Sequence, residues 1–295
     1  MTEWRDAMKN LERLSGIRLI ATDLDGTLLD PNGKLTDYTL ETLHACEERG
    51  IKVVMSSGRT FENVRLLARQ AGLSSPIISC NGGRIDASPF GPVIMEDFIP
   101  MPDARIVFDL LKASGLFIEC YTGNTIYRLH PELSPFLPSS EAYRPTPVIP
   151  DEDGFEQRFV DDEPERMLEE GVPRAYKLAA FSRDPSRLAA LRRELEPMNL
   201  FFSSAFPYNL EIMEKGHGKG RCIRFLADWL GLNLDQVIAF GDNTNDREML
   251  MAAGFGCAMG NGVPALKEIA DLVAPTNAEN GEAQIIRKYI LQTEE

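Results

Sequence analysis

Apolar residues gather in short continuous blocks over the first eighty positions, and polar, helix-periodic sequence separates them. Ile17–Thr22, Ile51–Met55 and Ile77–Cys80 are such blocks, and their length and continuity predict strands buried on both faces. A helix is predicted over about Thr36 to Arg49 with Gly50 as its stop, and another runs to Ala71 with Gly72 after it. Strands alternating with helices in this way imply an α/β fold built on a doubly wound parallel sheet. Ahead of the first strand, Trp4, Met8, Leu11 and Leu14 recur at helical spacing. They predict an amphipathic helix over 2–15 that packs on the domain surface or makes a dimer contact.

After Gly83 the pattern changes. Strand-like pieces at Val93–Glu96, Leu116–Tyr121, Thr125–Leu129 and Tyr176–Phe181 accompany helical stretches near 103–114 and 185–197, which reads as a separate α+β unit. Prolines crowd Pro131 to Pro150 and exclude helix or central strand there. Acids dominate Asp151 to Glu170, opposed only by Arg158 and Arg166, as on a solvated loop and helix face. The alternating texture returns at Leu210–Met213, followed by a helix over Lys219–Leu230 and a strand over Val237–Phe240. The expected division is therefore a core of 1–83 with 209–295, interrupted by an inserted α+β cap over 84–208.

Composition narrows the function. The 295-residue chain carries a formal charge of −14, which excludes a nucleic-acid binder because phosphate backbones need a basic surface. An anionic ligand would need local positive potential from a metal, a lysine and backbone N–H groups. Five widely spaced cysteines without a C-x-x-C pair fit reduced thiols in a cytoplasmic protein. No 18-residue apolar run predicts a membrane span, and the N-terminus lacks the apolar core of a secretory signal.

The candidate chemistry begins at Asp23-Leu24-Asp25-Gly26-Thr27-Leu28-Leu29, directly after the first strand. Residues two apart in a strand face the same way, and two carboxylates on one face repel unless a cation lies between them. A hard divalent ion would supply that charge. Three further segments stand where strands should end: Ser57-Gly58-Arg59, Lys219-Gly220, and Gly241-Asp242-Asn243-Thr244-Asn245-Asp246. Open α/β sheets bind ligands outside the carboxyl ends of their strands, so the four segments should converge on one crevice. Their acids, hydroxyl, lysine and glycines suit phosphoryl transfer.

In this order, with an insertion between the second and third, the segments resemble the haloacid-dehalogenase-like (HAD) superfamily. The insertion's place and mixed character resemble the type IIB capped branch, especially its Cof-like phosphatases. Asn81-Gly82-Gly83 and Tyr208-Asn209-Leu210-Glu211-Ile212-Met213 add to the likeness. The resemblance implies a Rossmann-like core and a phosphatase acting on a small phosphorylated metabolite. Asp23 would be the nucleophile, and Asp25 the general acid and then base. Mg²⁺ would be held by Asp23, the Asp25 carbonyl and Asp242. Leu24, Ser57, Gly58, Lys219 and Asn245 would bind phosphate, Ser57 and Gly58 at the start of a helix. Thr27, Asn243 and Asp246 would support them, Asn243 through water to the metal and Asp246 by orienting Lys219 or its loop. A phosphomutase of the phosphomannomutase type and a non-catalytic phospholigand sensor are the alternative readings. The protein would be a monomer or a homodimer. Among other residues, Arg59 reads as a brace for its loop, His44 as surface, and His130 as a loop residue or substrate contact. His217 is a candidate for the site wall, and Phe225 and Trp229 read as core.

Overall fold

The structure, a computed structural model, describes residues 14–136, 158–161, 163–204 and 207–293. The predicted N-terminal helix lies outside the described residues except at its end, where Leu14–Gly16 form a short helical turn. Most of the proline-rich stretch and part of the acidic one also lie outside them.

A parallel sheet carries the motifs. Its order is β14 (Leu272–Val273), β13 (Phe255–Ala258), β12 (Val237–Gly241), β1 (Leu19–Thr22), β2 (Lys52–Ser56) and β3 (Ile77–Ser79), all in parallel register. All four residues of β1 are buried, and alternate side chains serve different cores. Ile20 joins a cluster with Leu43 and Cys46 of α1 (Asp37–Glu48) and Val64 and Ala68 of α2 (Phe61–Gln70). Leu19 and Ala21 join another with Ile223 and Leu226 of α5 (Lys219–Leu230) and Met249 and Leu250 of α6 (Arg247–Ala252). Helices on both faces make the sheet doubly wound, which is why the middles of its central strands are apolar on both sides.

Sheet membership shifts the domain limits away from 84 and 208. β4 (Arg84–Asp86) and β5 (Val93–Glu96) extend the first sheet as an antiparallel hairpin on β3. The three-residue turn Cys80–Gly82 is too short for the crossover that another parallel strand would need. At the other end, β11 (Asn209–Glu214) belongs to the second sheet. The insertion therefore runs from just past Glu96 to Glu214.

That second sheet has the order β10 (Leu200–Ser203), β11, β9 (Lys177–Phe181), β6 (Phe117–Tyr121), β7 (Thr125–Leu129), β8 (Arg158–Asp161). Its pairs are antiparallel except β7 with β8. Ile118, Leu178, Ala180 and Ile212 point to one face and pack on Phe108 and Leu111 of α3 (Met101–Ser114) and Leu188 and Leu191 of α4 (Pro185–Leu195). The period-2 alternation turns Glu119, Tyr121, Lys177 and Glu211 to the other face. Trp229 is 49% exposed, not core: the cluster that takes Ile223 and Leu226 is packed by its neighbour Leu230 instead. Phe225 packs partly buried against that cluster. Among the described residues no helix is long and apolar enough to cross a membrane.

One buried carboxyl sits under β1. The Thr22 hydroxyl lies 2.7 Å from Glu282 Oε2 and 2.7 Å from the Asp23 carbonyl. A hydroxyl has one proton, so both contacts are hydrogen bonds only if Glu282 supplies the other. Burial pushes Glu282 from its ordinary 4.5 up to about 8, against the Thr22 hydrogen bond. In this window the folded state holds a proton that the unfolded state has lost, so stability falls as pH rises from about 4.5 to about 8 and is level beyond. Chemical denaturation across this range should show the E282Q variant gaining on the parent protein as pH rises; a constant difference would contradict the neutral carboxyl.

Candidate active site

A cavity of about 540 Å³ lies between the carboxyl ends of the central strands and the open face of the second sheet. Asp23, Asp25, Ser57, Gly58, Asp242, Asn243 and Asn245 line it from the first sheet, and Glu119, Tyr121, Phe159, Lys177 and Glu211 from the second. Three of the four segments, far apart in sequence, therefore meet at its wall, and Lys219 of the fourth reaches Asp23 from behind it.

At the end of β1 the chain makes one wide turn through Leu24 to Leu28, closed by hydrogen bonds from Leu28 N–H to Asp23 O at 3.3 Å and from Leu29 N–H to Leu24 O at 2.9 Å. Gly26 is required twice in this turn. Its φ is +84°, and a Cβ there would stand 2.5 Å from Asp242 Oδ2. Thr27, also in the turn, donates to Asp242 Oδ1 at 3.2 Å. Leu24 sends its side chain into the core and offers the cavity nothing beyond its backbone.

Lys219 opens α5 and is fully buried, with its ammonium donating to Asp23 Oδ1 and, at 2.6 Å, to Asp246 Oδ1. Asp246 Oδ2 accepts the backbone N–H groups of Asp242 and Asn243, each at 3.1 Å. One carboxylate therefore fixes both the lysine and the loop after β12. Burial alone would lower the Lys219 ammonium, but Asp23 and Asp246 outweigh it and push it up. Burial pushes the Asp23 carboxyl well above its usual range; Lys219 opposes this, while Asp246, Asp242 and Asp25 add to it. Burial, with Asp246 beside it, takes Asp242 up to about 7 against the pull of Lys219 and Thr27.

Oxygens of Asp23, Asp242 and Asp246 lie within 4.8 Å of one another. This all-oxygen donor set, in which burial first and neighbouring carboxylates second push Asp23 and Asp242 towards protonation, fits a hard divalent cation. Because Asp246 is occupied by Lys219 and two amides, Asp23 and Asp242 are the carboxylates with oxygens to spare. The Asp25 side chain is not in this cluster. It is 59% exposed and held by Arg59, Nε to Oδ2 at 2.8 Å and Nη2 to Oδ1 at 2.5 Å. Arg59 thus does more than brace its loop, and only its partner, 34 residues away in sequence, reveals it.

Ser57 and Gly58 lie in the loop before α2, which begins only at Phe61. Loop amides, not the helix end, are therefore what these residues offer an anion. Asn245 lines the cavity with its buried Oδ1 unpartnered among the described residues, leaving its amide free to turn toward a ligand. Asn243 caps the turn after it, accepting from Thr244 N–H at 2.7 Å. None of the three histidines lines the cavity. His217 is buried elsewhere, His130 pairs loosely with Glu132 at 3.5 Å, and exposed His44 meets the Ala71 carbonyl. Lys177 and Glu211 were not singled out as site residues, although a charged side chain within an apolar strand such as Lys177–Phe181 is a visible signal.

A family model for haloacid dehalogenase-like hydrolases matches residues 20–286. The chain belongs to that family. It is 30% identical to the phosphatase YwpJ of Bacillus subtilis (strain 168), over 93% of this chain and 100% of the relative. It is 28% identical to the pyridoxal phosphate phosphatase YbhA of Escherichia coli (strain K12), over 93% and 99%. A solved haloacid dehalogenase-like hydrolase from B. subtilis superposes with a TM-score of 0.80 at 29% identity, covering 92% of this chain and 99% of that one. The Rossmann-like core with an inserted second unit is thus the architecture of this hydrolase family.

Removing Asp246 should be costly, because it strands a buried ammonium and two amides. D246A should lose about 3 kcal/mol or more in urea denaturation; a loss under about 1 kcal/mol would show that Asp23 alone satisfies Lys219.

Proposed function

We propose that this chain is a Mg²⁺-dependent phosphatase that hydrolyses a small phosphorylated metabolite through an aspartyl-phosphate on Asp23. The observation that carries this is the placement of Asp23 at the cavity floor, bound to buried Lys219, with Asp242 beside it and Asp25 two residues on at the open side. The likeness to named phosphatases over nearly the whole chain supports it.

The substrate phosphate would be received by the Ser57 hydroxyl, the Gly58 N–H and the Asn245 amide, with Lys219 lowering the repulsion between it and Asp23. An Asp23 oxygen attacks phosphorus, and the bond to the leaving oxygen breaks as that oxygen takes a proton from Asp25. Asp25 then removes a proton from the water that attacks the aspartyl-phosphate, releasing inorganic phosphate and restoring Asp23. Arg59 holds both oxygens of Asp25, so the carboxyl must leave that guanidinium to reach the leaving oxygen. Mg²⁺, held by Asp23, Asp242 and the Asp25 carbonyl, would supply the positive charge that lets two anions meet. The open face of the second sheet would choose the leaving group, and a cavity of this size suits a small molecule. Relatives include phosphatases of pyridoxal phosphate and of 5-amino-6-(5-phospho-D-ribitylamino)uracil, so phosphorylated vitamins and their precursors belong in a first substrate panel beside sugar phosphates.

The D23N variant should still fold, as its circular dichroism would show, and lose turnover by about three orders of magnitude or more; full activity would sink the nucleophile assignment. Treatment with EDTA should abolish phosphate release and added Mg²⁺ restore it. Inorganic phosphate should appear from a single substrate with water alone as acceptor, whereas a mutase would return the phosphoryl group to a second position.

A further inference from the structure

Three consecutive carbonyls run through the loop after β2, and they are held in two different ways. Ser57 O accepts the Asn81 N–H at 2.9 Å, and Arg59 O accepts the Cys80 N–H at 2.8 Å. The backbone of the first sheet's own domain therefore fixes the outer two. The middle one, Gly58 O, accepts from Lys177 Nζ at 3.0 Å, and Lys177 stands on β9 of the inserted unit. Its ammonium also donates to Glu211 Oε1 at 2.5 Å and lies 4.2 Å from the centre of the Tyr121 ring. The second oxygen of Glu211 accepts from Asn81 Nδ2 at 2.7 Å. Lys177, Glu211 and Asn81 are all buried, so the contacts form a closed ring: Gly58, Lys177, Glu211, Asn81, Ser57.

The ring has a consequence for the Ser57 hydroxyl. The carbonyl of Gly58 and the N–H of Arg59 belong to one planar peptide unit, so pinning the carbonyl aims the N–H. That N–H lies 3.2 Å from Ser57 Oγ and donates to it. With Oγ accepting on that side, its own proton is left for another acceptor, and Ser57 lines the cavity. The Ser57–Gly58 peptide is fixed similarly from Asn81, whose side chain lies so close that a Cβ on Gly58 would be 2.9 Å from Asn81 Oδ1. With its positive charge engaged by a carbonyl, a carboxylate and an aromatic face, Lys177 is committed to the loop instead of to a phosphate.

We propose that Lys177 and Glu211 are positioning residues, supplied by the inserted unit, that orient the Ser57–Gly58 loop so that its hydroxyl and amides receive the phosphoryl group. The anion site is complete only while the second sheet is docked on the first. This rests on the phosphatase reading above.

Lys177→Met keeps the length of the side chain and removes its donors. With Mg²⁺ present, this variant should raise both the KM of the best substrate and the inhibition constant of inorganic phosphate about tenfold, the worth of one charge-assisted hydrogen bond. Its kcat should stay within about threefold, because the nucleophile and acid are untouched. Lys177→Arg should recover most of the phosphate affinity. If K177M does not fold, Asn81→Gly carries the same test from the other side of the ring. Asn81 has a φ of +54° that glycine adopts freely, and N81G should weaken phosphate inhibition in the same direction. Unchanged phosphate inhibition in the folded variants, a fall in kcat alone, or a K177R variant as weak as K177M would overturn the proposal. A parent protein that releases no phosphate from any phosphomonoester would overturn the phosphatase reading instead.

Discussion

Everything around the cavity depends on one ammonium shut between two carboxylates. Lys219 comes from the helix after the insertion, Asp23 from the first strand and Asp246 from the loop after β12. An ion group this deeply buried is tolerable only when complete, because each member left alone would bear its full desolvation cost. The triad therefore fixes three distant stretches of chain to one another. It also explains the glycine after the lysine: a Cβ on Gly220 would stand 2.3 Å from the Glu248 carbonyl, so no larger residue lets α5 approach α6 closely enough to deliver Lys219.

The same neighbourhood is deliberately short of positive charge. Among the described residues, Asp23, Asp25, Asp242 and Asp246 are paired with Lys219 and Arg59, two cations for four carboxyls. Burial, with these neighbouring carboxylates adding to it, moves Asp23 and Asp242 towards protonation. A divalent cation would remove that deficit, and it would do so in a protein whose net charge of −14 otherwise repels phosphate. Attraction of the substrate is thus confined to a few ångströms of the molecule and owes nothing to its surface.

How much of this could be read from sequence follows the physics of each feature. Asp23, Ser57, Lys219 and Asp242 were legible because a parallel strand buried on both faces announces itself as an apolar block, and each residue follows one or opens the next helix. The limits of the insertion were not. β4 and β5 are short strands on either side of a Pro- and Gly-containing turn, a texture shared by hairpins of either sheet, and β11 is as buried as a core strand. Partners across long sequence gaps were equally hidden. Nothing near Arg59 names Asp25, and nothing near Gly58 names Lys177. The exposure of Trp229 shows the converse, a large apolar residue at helical spacing that the packing does not use.

The face of the second sheet that looks into the cavity is divided between two kinds of neighbour. Lys177, on β9, is bound to the Gly58 carbonyl and, through Glu211 on β11, to Asn81, whereas Ile126 and Phe159, on β7 and β8, are apolar parts of the cavity wall. On the positioning role proposed for them, drift in β9 or β11 at those positions would disturb the chemistry for every substrate alike. Drift in β7 and β8 would change the shape of the cavity wall. A lineage, or an engineer, would then search new leaving groups along β7 and β8 while Lys177 and Glu211 are kept.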